Sequence, residues 1–255
     1  MKKTILMFAA AGLMLATPSC KKGENDPFMS LSSRKSRVAG DWTVSGYTSN
    51  WTSTDSDGDS WTDTDVLDGN IITTTSSSTV DGITTSSTST TTINEATFTF
   101  GKDGTYTQVM NTTTVSTSVP LTGFTNTNTE VETMTTTGNW SFAGKVKDSY
   151  KNKERIILNV LTASGSDQET DVLSDDSGLI PSVTTVGATS AWTSNFYSGE
   201  ISTTYEIDQL KGKEMIFKQM TANSGTSSWT PDGGPTTTST DNVVTGDATW
   251  TLTAQ

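Results

Sequence analysis

From Val38 to the C-terminus, apolar residues recur at alternate positions, with no long helical period. In ATFTF and TYTQVM, Phe98, Phe100, Tyr106 and Gln108 fall two apart, the alternation of strands with one buried face. VAGDWTVSGYTS, VETMTTTGNWSFAG, RIILNVLTA, ISTTYEIDQL, KEMIFKQMTA and ATWTLTA continue the pattern. Turn signals separate these runs. Asp81-Gly82 sits between IITTTSSSTV and ITTSSTSTTTI, a strong two-residue hairpin signal. Gly101–Gly104 (GKDG) and Leu210–Lys213 (LKGK) predict two further tight turns. Antiparallel strands joined by short turns make a meander, and a large meander loses its exposed edges by closing on itself. The pattern therefore predicts an all-β, antiparallel up-and-down meander closing into a β-barrel, with long Thr/Ser-rich hairpins or loops. Ahead of it, residues 28–37 predict a short helix: Phe28 and Leu31 share a side, and Arg34, Lys35 and Arg37 suit its C-terminal dipole. Residues 164–195 and 222–242 read as long loops outside the core.

Composition sharpens this picture. The chain has 255 residues, room for one large β domain or two small ones. Only 31% of residues are hydrophobic and 17% are charged, with Thr and Ser filling the gap, which reads as strand-rich with a wet surface. Residues 73–92 carry almost no large apolar side chains, so those strands cannot line a dry core on either face. They form a solvent-exposed hairpin, line a wet cavity, or stay disordered. The net charge of −12 argues against nucleic-acid binding. The absence of histidine removes His-based triads and His-ligated zinc.

The first residues have a separate logic. Lys2 and Lys3 precede an apolar run too short to span a membrane, then Ala16-Thr17-Pro18-Ser19 and Cys20, the only cysteine. Residues 1–19 read as a lipoprotein signal peptide, 20–27 as a lipidated tether, and 28–255 as the folded domain, with a Thr/Ser-rich insertion around 49–92. Small residues before a cysteine resemble the lipobox of bacterial lipoproteins, which implies acyl chains on Cys20 and attachment to a membrane. Loss of residues 1–19 removes Lys2 and Lys3 and brings the charge to −14, so the lipid would hold an acidic body against electrostatic opposition from anionic headgroups.

CKKGENDPFMSLSSRKSRVAGDWTVSGY resembles the N-terminus of lipocalin-like domain lipoproteins of Bacteroidetes-type bacteria. Gly40-Asp41-Trp42 matches their Gly-x-Trp, and FTFGKDGTYTQVM, GNWSFAGKVKDSYKNKERIILNV and YEIDQLKGKEMIFKQM resemble later pieces in the same order. The resemblance implies a lipocalin-like barrel, a helix plugging one end, Trp42 packed at that end, and an outer-membrane location. Glu24 and Asp26 resemble an acidic export tag, and Lys21 and Lys22 leave the membrane face open.

Candidate chemistry is sparse. Asp55, Asp57 and Asp59 alternate as in calcium loops, but Ser60 and Val66 stand where that loop needs Gly and Glu. No metal site or cofactor is therefore assigned. Glu130/Glu132 and Asp175-Asp176 are carboxylate pairs without a surrounding motif, and Lys147–Arg155 reads as a basic hairpin tip. Trp42 and Trp140 belong to the core, whereas Trp51, Trp61, Trp192 and Trp229 stand in polar contexts suited to binding. No nucleophile elbow is present, so no catalytic residue is assigned and a non-enzymatic role is expected. Two functions remain open. One is a lipid-anchored module carrying a small hydrophobic ligand in the barrel; the other is a structural or surface-interaction protein whose barrel is filled.

Overall fold

A computed structural model describes residues 33–55, 58–151, 154–229 and 237–255. The leader, Cys20 and the first part of the predicted helix lie outside them. Among the described residues one helix, α1 (Arg34–Val38), precedes twelve strands: β1 (Gly40–Thr54), β2 (Ser60–Asp68), β3 (Ile71–Val80), β4 (Ile83–Phe100), β5 (Thr105–Leu121), β6 (Phe124–Phe142), β7 (Arg155–Asp175), β8 (Val183–Val186), β9 (Ser190–Asn195), β10 (Ile201–Lys211), β11 (Glu214–Trp229) and β12 (Thr237–Ala254). All pairings among them are antiparallel. The predicted turns form where expected. Asp81 (φ 51°) and Gly82 (φ 75°) join paired Val80 and Ile83, the left-handed conformations a two-residue hairpin requires.

The meander closes at one end only. Gly40–Thr43 of β1 pairs Thr97–Phe100 of β4, and Arg155–Val160 of β7 pairs Ile201–Glu206 of β10. Hydrogen bonds thus run around eight strands, β1-β4-β5-β6-β7-β10-β11-β12. Farther up, the hairpin of β2 and β3 enters between β1 and β4, and β9 and β8 replace β10 on the edge of β7. Single-residue bulges mark where strands part: Ser45 on β1, Asn94 on β4 and Leu161 on β7. A bulge bends its strand and increases local twist, which is what the change of partner demands.

The loops expected over 164–195 and 222–242 are largely strands. β7 runs for 21 residues, about 70 Å at roughly 3.3 Å per residue. β11 and β12 stay paired as far as Trp229 and Thr237. The polar residues of β7 read as loop because hydroxyl and amide pairs across the strands, Thr133 with Ser166 and Asn126 and Asn128 with Asp171, take the place of apolar contacts.

The core fills the closed end. Trp42, Phe98, Phe100, Trp140, Leu158, Ile207, Met215, Phe217 and Leu252 are all buried. Phe100 meets Trp140 and Phe217 edge-on, with ring centroids 5.7 and 6.2 Å away. The helix seals this end from outside. Ser33 caps it by accepting from the Ser36 amide, Arg34 donates to the Ile207 carbonyl at 3.2 Å, and Arg37 donates to Leu210 at 2.6 Å. The indole N–H of Trp42 donates to the Val38 carbonyl, so the Gly40/Trp42 motif ties helix to strand.

Candidate functional site

Strand alternation puts every second residue on the inner face, and the bulges shift which ones those are. Above the core the inner face turns polar within a few residues. Tyr47 packs on Trp250 at 4.2 Å, and Ser49 is buried just above them. Ser49 and Thr74 both donate to the Asp65 carboxylate at 2.6 Å. Burial raises the Tyr47 hydroxyl, against a lowering hydrogen bond with Ser49, and nearby Asp65 raises it further. Burial also pushes Tyr106 and Tyr205 up to about 12. The indole Nε1 of Trp250 is buried without a hydrogen-bond partner among the described residues. These side chains form a polar floor over the packed core.

Higher still, the inner face carries hydroxyls and carboxylates. Glu132 faces Asp167, Glu130 faces Glu169, and Asn128 faces Asp171 across the β6–β7 pair. Asn126 and Asn128 both donate to Asp171. Like charges directly opposite one another disfavour a pairing, so this register is held by the rest of the strand. Among the described residues no group of three or more acidic or thiol side chains is placed to hold a metal ion.

The other sequence candidates scatter. Asp57 lies outside the described residues; Asp55 and Asp59 serve the β1–β2 turn, with the Asp59 amide donating to Asp55 and the Asp81 amide to Asp59. Asp175 is a turn residue, held low by hydrogen bonds from the Ser177 hydroxyl and amide, then the Ile180 and Leu179 amides. Trp192 is 39% exposed and lies over Gly165, its cross-strand partner. A shallow cleft of 420 Å³ is lined by Thr133, Thr135, Ser164, Ser166 and Thr193 together with Gly165, Ala191 and Trp192. Alternation points those hydroxyl side chains to the sheet face opposite that of the Trp192 ring, which lies over Gly165. The Lys147–Arg155 turn borders a 440 Å³ cleft that also contains Glu154, Glu206 and Asp208, a mixed lining without preference for an anion. Trp61 is exposed, Trp51 half-buried against Gly246, and the Trp229 side chain lies outside the description.

The arrangement missed in the sequence is a division of charge between the two ends. Every described lysine and arginine is near the closed end: Arg34, Lys35 and Arg37 on α1, Lys102 in the β4–β5 turn, Lys145, Lys147, Lys151 and Arg155 around the β6–β7 turn, and Lys211, Lys213 and Lys218 around the β10–β11 turn. Asp41, Asp103, Asp148, Glu154, Glu206, Asp208 and Glu214 share that end, and the other described acids are distributed along the open part. The signal lay in the turns. Alternate turns of a meander fall at the same end; the lysines sit in the β4–β5, β6–β7 and β10–β11 turns, and the β1–β2, β3–β4 and β7–β8 turns carry aspartates without lysine.

Fold and site together define an all-β protein with a sealed, packed end and an open, hydroxyl- and carboxylate-lined end. Comparison with models of protein families, with curated proteins and with solved structures finds no match to this chain.

Proposed function

We propose that this chain is a lipid-anchored lipoprotein of the outer membrane, non-enzymatic, whose ring is a filled lipocalin-like β-barrel serving as a structural or surface-interaction module. The observation that carries the choice between filled and hollow is the closed end. Side chains from all eight strands and α1 meet there, and the largest of them, among them Phe100, Phe217, Leu210 and Met215, are almost wholly buried. A carrier of small hydrophobic ligands needs an apolar hollow. Above the core this lining is Asp65, Ser49, Thr74 and the facing carboxylates of β6 and β7. The long hairpins then act as projections, with hydroxyls and carboxylates as their contact chemistry.

The chain enters the fold through α1 at the closed end, so a Cys20 anchor would put that end nearest the membrane. Two measurements test the reading. A native mass spectrum of the chain from Lys21 should give the bare polypeptide mass; a co-purifying small molecule would shift the reading to carriage. Cys20→Ala should abolish labelled-palmitate incorporation and membrane fractionation, and normal labelling of that variant would remove the anchor.

A further inference from the structure

The −14 charge of the chain without its leader predicts repulsion from an anionic bilayer, but the charge is not spread evenly. We infer that the closed end is a docking face for anionic lipid headgroups, which orients the molecule with its acidic open end away from the membrane. This inference rests on the lipoprotein reading for its biological setting; its physical basis is separate.

Lys35, Lys102, Lys145, Lys147, Lys211 and Lys213 are exposed and come from α1 and three turns at that one end. Several carboxylates of the same end have local partners. Asp41 accepts from the Thr99 hydroxyl, and Asp103 accepts from the Thr105 amide and hydroxyl. Glu154 pairs with Lys151, and Asp208 pairs with Lys218 at 3.2 Å. Asp103 is held low, first by the Thr105 amide and then by its hydroxyl. The open part carries no described lysine or arginine. A field divided this way turns the molecule as it nears a negative surface, and only the charges within a Debye length of it, about 10 Å, contribute to holding it there. The longest strand, β7, runs about 70 Å, and the acids of the open part lie along the strands and distal turns, most of them outside that range. Twelve residues lie between Cys20 and the helix cap Ser33, a reach of about 45 Å when fully extended, so an anchored chain can bring this face to the headgroups.

The test uses the chain from Lys21, which contains every described element and has no acylation site, so its outcome is independent of the anchor. Sedimentation is measured with phosphatidylcholine vesicles and with vesicles containing about one-third phosphatidylglycerol. The chain should bind the anionic vesicles at least about tenfold more tightly, and raised salt should remove the difference. Lys35→Gln, Lys102→Gln, Lys145→Gln and Lys147→Gln combined should weaken that binding by about tenfold. Thr84→Glu, Thr88→Glu, Thr117→Glu and Ser182→Glu combined make the same change in net charge at exposed positions far from the closed end, and should leave binding within about twofold. Equal binding to neutral and anionic vesicles overturns the inference, and so does an equal loss in both variants, which would reduce the effect to net charge. Tryptophan emission and urea midpoint establish that each variant is folded. If the lysine variant fails to fold, the lipid and salt dependence of the unsubstituted chain decides alone.

Discussion

Phe100→Ala is the most direct perturbation of the closed end. The ring is 2% exposed, lies on β4 where it pairs with β1, and touches Trp140 of β6 and Phe217 of β11. It also stacks against Phe98 at 5.9 Å. Removing it takes out roughly 100 Å³, and at about 24 cal/mol per Å³ the cavity alone costs about 2.4 kcal/mol if the neighbours hold still. Lost transfer energy brings the total to about 3–5 kcal/mol, the usual range for a buried Phe→Ala. The site resists collapse because its neighbours are rings on three strands fixed by backbone ladders. Urea unfolding followed by tryptophan emission reads this out. With a slope near 3 kcal/mol per M, the midpoint should fall by about 1–1.7 M. Ile83→Ala is the control, because Ile83 is 69% exposed beside a turn and should cost no more than about 0.5 kcal/mol. A midpoint shift below about 0.3 M for Phe100→Ala would mean that the closed end is loose or hollow, and the filled reading would fail with it.

Three further perturbations probe other layers. Gly246→Ala would put a methyl group against the Asn50 carbonyl and the Trp51 ring, and should cost about 1–3 kcal/mol in urea unfolding, whereas Gly144→Ala points into open space and should be nearly neutral. Asp65→Ala leaves the buried Ser49 hydroxyl without its acceptor and should cost about 1–3 kcal/mol; a double-mutant cycle with Ser49→Ala should show a clear coupling between the two. Tyr106 and Tyr205 are raised by burial from 10.0 to about 12, so the folded state holds their protons more tightly than the unfolded chain. The stability they contribute is complete below pH 10 and is lost between about pH 10 and 12. Phenolate absorbance should show Tyr106 and Tyr205 titrating late in that window, with Tyr47 also raised above its ordinary value, and Tyr205→Phe should remove one late-titrating group.

The closed end was largely legible in the sequence. Trp42, Phe98, Phe100, Tyr106 and Trp140 lie in apolar strands flanked by turn residues, and all five are buried. The open part was not, for two physical reasons. Its strands have hydroxyls on both faces, so no alternation distinguishes them from loop, and β7 read as ending where its apolar residues thin out. The bulges also interrupt alternation. Asn94 breaks the step between Phe98 and Thr91, both of which face inward, and no residue-level pattern announces it. Of the candidate site residues, Glu130 and Glu132 were visible as sharing a face, but their partners Glu169 and Asp167 fell inside a segment read as a loop. Cys20 and Asp57 lie outside the described residues and keep only their sequence argument.

The same features explain how a chain with 31% hydrophobic residues can have a core at all. Spread over strands of this length, so few apolar side chains would leave every level half wet. Gathered at one end, they make a dry plug that only a ring of eight strands is narrow enough to enclose. The bulges at Ser45, Asn94 and Leu161 let the sheet leave that ring where the large side chains run out. Above them, closure is no longer needed, because hydroxyls and carboxylates can face water. The turn of the β2–β3 hairpin bonds back into β4 there, with the Ile93 amide donating to the Asn70 carbonyl at 2.7 Å. The insertion is therefore seated on the rim of the packed region rather than hung from a flexible joint. Stability and contact surface are separated along the strands: the closed end supplies the packing, and the open hairpins are left free to carry polar chemistry that a core could not tolerate.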